Sequence, residues 1–80
     1  MEQNNLAALA DEYLMSIRLT DEQIAQVRSS LERAKKQRRN MLISKLNANL
    51  ATLYRQKNEL IEIENHLRNY YSETEVKQAV

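Results

Sequence analysis

Glycine, proline, cysteine, phenylalanine and tryptophan are all absent from this 80-residue sequence. Without glycine or proline the chain lacks the residues that best make tight turns, left-handed helix caps and sharp strand connections, so an all-α fold is expected almost by elimination. The missing cysteine excludes a disulfide framework, a thiolate nucleophile and a zinc knuckle. The four aromatics are all tyrosines, leaving no Phe or Trp to anchor a compact core. With 12 Lys and Arg against 11 Asp and Glu, the formal net charge of +1 gives no global attraction to nucleic acid or to an anionic membrane. Apolar runs are only a few residues long, and Glu2 followed by polar residues is not the basic-then-apolar opening of a secretion signal. A soluble cytoplasmic protein with no membrane span is expected.

What is present is a set of strong helix formers, Ala, Leu, Glu, Lys, Gln and Arg, in periodic order. A chain of this length makes one small domain and buries only roughly 60 to 65% of its unfolded surface, so association is a natural way to complete its core. A first helix is expected over about residues 5–19, with Leu6, Leu9, Ala10, Tyr13, Leu14 and Ile17 on one face. Thr20 and Gln23 then have capping-box spacing, and Leu19 and Ile24 the spacing of a hydrophobic staple, which predicts that a long second helix starts at about residue 21 and runs to about 71. Ser72 with Glu75 and Tyr71 with Val76 repeat both spacings, so a short helix over about residues 73–80 is expected to follow. The first helix should fold back on Ile24, Val27, Leu31 and Ala34, which recur at spacings of three and four.

Beyond Ala34 the apolar stripe crosses a basic segment, Arg33, Lys35, Lys36, Arg38 and Arg39, with Arg38 on the stripe itself. After it a leucine falls at every seventh position, Leu46, Leu53, Leu60 and Leu67, flanked by Leu42 and Ile63. With these leucines at heptad position d, position a reads Ile43, Leu50, Lys57 and Glu64, apolar for two heptads and then polar. A second apolar line, Ile43, Leu50, Tyr54 and Ile61, lies roughly 100° around the helix. The combined arc is too wide for a simple two-stranded seam and leaves a strip for a protein partner, with Leu42, Leu46, Leu50, Leu53, Tyr54, Leu60, Ile61, Leu67, Tyr70 and Tyr71 as the expected interface. Two architectures fit the pattern. Residues 21–71 form either one helix of ~75 Å that dimerises through its leucines, or two helices broken near residues 37–40, where like charges crowd and Asn40 is able to cap.

Catalysis finds no support. Ser16, Ser29, Ser30, Ser44 and Ser72 have no histidine at local spacing, and Glu59, Glu62 and Glu64 have no cleft to tune them. Glu62 and His66 share a helix face, but two ligands do not make a zinc site. No enzyme, metal or cofactor is expected. The basic segment ahead of a leucine heptad resembles the basic-zipper arrangement, in which a zipper dimer delivers two basic helices to the major groove. It departs from that pattern because Asn40 follows the arginines instead of preceding them and no extended basic helix lies upstream. Arg33, Lys35, Lys36, Arg38 and Arg39 are therefore read first as a solvated or protein-contacting face, with nucleic-acid contact as the rival. In size and composition the chain is similar to the small helical regulators and inhibitors of bacteria and their phages. Glu12, Tyr13, Leu14, Ile17, Arg18 and Asp21 resemble the opening of phage-encoded sigma-like regulators. The function expected is that of a homodimeric adaptor, regulatory subunit or inhibitor that binds another protein through an apolar helical strip.

Overall fold

A helical chain without glycine or proline reverses only where local chemistry weakens it, and among the described residues of the computed structural model this happens once, inside the basic segment. Helix α1 spans Glu2–Lys36 and helix α2 spans Asn40–Ala79, packed side by side as an antiparallel hairpin. Side chains and packing are described for residues 7–70. The side chains of the second capping box and the Tyr71 staple lie outside the described residues, and a separate short helix over residues 73–80 is not shown.

Thr20 does not start a helix. Residues 19–21 lie within α1, so the expected separate helices over residues 5–19 and from residue 21 are one element. No breaker interrupts this stretch, and Thr20 is needed in the interior of the hairpin, where it is buried. Its hydroxyl donates to the Ser16 carbonyl at 2.8 Å, satisfying the polar atom within its own helix. Leu19 is 53% exposed while Ile24 is buried, so the expected staple does not close.

The chain turns at residues 37–39, within the break expected near residues 37–40, so residues 21–71 are two helices and not one. Arg39 N–H donates to the Ala34 carbonyl at 3.0 Å and Arg38 N–H to the Lys35 carbonyl at 3.1 Å, while Arg38 has φ 55°. This pair of bonds around a left-handed residue is the Schellman ending, normally built on glycine. The Arg39 carbonyl accepts from Ile43 N–H at 2.9 Å, which makes Arg39, not Asn40, the N-cap of α2. Lys35 and Lys36 in the last turn of α1 oppose the negative end of its dipole.

Heptads on both helices meet in the seam. On α1, Ala10, Ile17, Ile24 and Leu31 alternate with Tyr13, Thr20, Val27 and Ala34, all buried or half-buried. On α2 the positions of the sequence heptad, Ile43, Leu50, Lys57 and Glu64 with Leu46, Leu53, Leu60 and Leu67, are all buried or half-buried, with Leu42 and Ile61 half-buried beside them. The leucine row thus lies on the α1 side of α2, within the chain. The Asp21–Lys57 ion pair at 2.7 Å marks the register of the two helices, with the turn at one end of a rod whose Cα extents are 62 × 14 × 13 Å.

Candidate interaction surfaces

Two helices cannot enclose a core, because each side chain in the seam has a neighbour on one side only. Among the described residues the buried apolar side chains are Ile24, Leu31 and Ala34, and no large side chain is fully buried. Leu42, Ile43, Leu46, Leu50, Leu53, Leu60, Ile61 and Leu67 are half-buried along the described part of α2. Completing the burial of such a residue by removing a further roughly 40 Å² from water stabilises by about 1 kcal/mol.

The seam has two flanks. The first is marked by the Asp21–Lys57 pair, whose side chains are 50% and 29% exposed. Tyr54 and Ile61 sit on either side of Lys57 at i−3 and i+4, and Leu14 lies one heptad before Asp21. Tyr54 is 41% exposed, and Leu14 and Ile61 are half-buried, so this flank is an apolar strip about an ion pair. The opposite flank is polar in its middle, where Gln23, Gln26, Asn49, Thr52 and Gln56 line a shallow groove over Val27 and Leu53. Toward the open end it becomes apolar, with Leu9, Ile63 and Tyr70 exposed and a shallow groove between Glu62, Ile63, His66 and Leu67. The glutamine groove was not legible in the sequence, because it exists only once two polar helix edges are brought together.

The turn gathers the basic residues at one end. Arg33, Lys35, Lys36, Arg38 and Arg39 are all exposed. Arg33 donates to Ser30 Oγ at 3.3 Å and Lys35 stands 4.0 Å from Glu32, a contact too long and exposed to neutralise it. Lys45, a sixth cation, lines a shallow groove there with Arg39, Asn40, Met41 and Leu42, and Met41 is 78% exposed. Spacing on one continuous helix would spread these charges along ~20 Å; reversal brings them together.

Glu64 is the unusual charge. It is 4% exposed in the seam, and its Oε1 meets the Arg68 guanidinium as an ion pair without hydrogen-bond geometry. Arg68 itself is mostly in water, so the carboxylate is held at the edge of solvent by a partner one turn away. His66 is exposed beside Glu62, and among the described residues no group of three or more His, Asp or Glu is arranged to hold a metal ion. Among the same residues no helix is long and apolar enough to cross a membrane. Of the expected interface residues, Tyr54 and Tyr70 are exposed, Leu42, Leu46, Leu50, Leu53, Leu60, Ile61 and Leu67 are half-buried, and Tyr71 lies outside the described residues. No protein-family model, curated protein or solved structure matches the chain.

Proposed function

We propose that the chain is a small, non-enzymatic interaction module of the cytoplasm, acting as an adaptor, regulatory subunit or inhibitor. The observation that supports this reading is the half-covered apolar row along the described hairpin, which a further helix or helical pair from a partner would complete. Tyr54 and Ile61 on one flank and Ile63 and Tyr70 on the other supply the aromatic and aliphatic anchors such contacts favour. A photo-crosslinking amino acid at Tyr54 or at Ile63, introduced in the native host, tests it. Discrete protein adducts from at least one position are expected; no adduct from either would refute the module.

A second reading, a nucleic-acid-binding regulator, is favoured by the exposed Arg33, Lys35, Lys36, Arg38 and Arg39 at the turn. It requires binding to duplex DNA whose affinity falls with log salt by roughly 0.9 per phosphate neutralised. Loss of that binding in the Arg38→Ala, Arg39→Ala double variant is its signature.

A further inference from the structure

Charge is distributed unevenly along the rod. The half of the hairpin nearer the turn, residues 20–58, carries nine Lys and Arg against three Asp and Glu, a net of +6. The described part of the open half, residues 7–19 and 59–70, carries two against five, a net of −3. The near-neutral whole therefore conceals a rod with a basic end and an acidic end.

The turn holds its positive charge at a cost in stability. Arg38 occupies the left-handed position where glycine is favoured, and Arg39 the N-cap where Asp, Asn or Ser is favoured. Arg39 also stands at the positive end of the α2 dipole, whose first turn contains no acidic residue. Local rules broken twice at one place point to a use for the charge.

We infer that the flank carrying Leu14, Tyr54 and Ile61 is covered by a second copy of the chain lying antiparallel, the basic end of each hairpin beside the acidic end of the other. This deepens the interaction-module reading and rests on it. Residue 58 is about 30 Å from the turn at 1.5 Å per residue, close to the middle of the 62 Å rod. A two-fold axis there brings Tyr54 of one copy against Ile61 of the other, with the Asp21–Lys57 pairs beside the axis. A face 62 Å long and roughly 10 to 12 Å wide offers on the order of 600 to 750 Å² per chain, near the ~800 Å² per partner of a stable interface. A parallel pair would bury the same strip but set +6 beside +6.

Sedimentation equilibrium and single-cysteine crosslinking test the assignment, and the chain has no cysteine of its own to interfere. A dimer that weakens at least fivefold between about 0.05 and 0.5 M NaCl is expected, because screening removes the attraction between unlike ends. Tyr54→Arg, at an exposed site, should weaken it at least tenfold while helicity is retained. Asn58→Cys, between Tyr54 and Ile61, should crosslink to itself through a short bis-maleimide. Ser44→Cys, about 40 Å from its counterpart in this arrangement, should not. Efficient self-crosslinking of Ser44→Cys, or a dimer that tightens with salt, would show a parallel pair and overturn the inference. A folded monomer at 100 µM would also overturn it. If that monomer gives photo-adducts to a different protein, the interaction module itself survives. If it binds duplex DNA at about 0.15 M salt and loses binding in the Arg38→Ala, Arg39→Ala variant, nucleic acid is the occupant of the basic end.

Discussion

Arg38→Gly should stabilise the hairpin. Arg38 has φ 55°, where a side chain with a Cβ costs roughly 1 to 2 kcal/mol relative to the right-handed region. Glycine removes that cost but gives the unfolded chain more freedom, an opposing effect of about 0.5 to 1 kcal/mol. From the midpoints of these ranges the net gain is about 0.75 kcal/mol, or a rise in Tm of about 3 to 6 °C for a domain of this size. Removing a charge from the crowded basic end also helps, so Arg38→Gln, which keeps the backbone penalty, is the control. Arg38→Val, with a β-branched side chain in the same conformation, should fall below the parent. Urea melts at one low protein concentration, with association held fixed, measure the series. If Arg38→Gly is no more stable than Arg38→Gln, the chain does not turn through a left-handed residue at this position.

Thr20→Val separates a buried seam position from a helix cap. In the seam the hydroxyl serves only Ser16 of the same helix, so the change should be neutral or slightly stabilising, whereas loss of an N-cap would cost about 0.5 to 2 kcal/mol in a thermal melt. Glu64→Leu replaces a buried carboxylate, paired only with the exposed Arg68, by the leucine its heptad neighbours carry; a gain of about 1 to 3 kcal/mol by urea unfolding is expected, and a loss would assign Glu64 a contact beyond Arg68. Leu31→Ala should cost about 2 to 4 kcal/mol because Leu31 is 7% exposed, while Met15→Ala at a 58% exposed site should change stability by less than about 0.5 kcal/mol; similar losses for the two would misplace the seam.

The all-α class and the heptad of α2 were legible in the sequence because both depend on composition and period alone. The frame that sets Leu46, Leu53, Leu60 and Leu67 at d and Lys57 and Glu64 at a is the frame of the seam. What the leucines meet was not legible, since a heptad on α2 does not say whether its partner is α1 or another chain. A break near residues 37–40 was one of the two architectures the sequence allowed, whereas the helix start expected at residue 21 failed for a related reason. Thr20 and Gln23 carry a good local start signal, while Arg38 and Arg39 are poor residues for a turn, and tertiary pairing of two heptads overrides both preferences. The basic segment was visible as residues, but its concentration with Lys45 at one end, and the acidic character of the other, follow from the reversal.

The reversal at residues 37–39 positions the seam, both flanks and the charged ends, and one interhelical distance tests it. Donor and acceptor dyes on cysteines replacing Glu12 and Asn65, both exposed, are to be read by energy transfer in chains diluted with unlabelled protein. In the hairpin the helix axes are about 8 to 10 Å apart, so the dyes should lie within about 30 Å and transfer efficiently. A separation of about 80 Å, the length of 53 residues of unbroken helix, would contradict the fold and the interaction surfaces built on it.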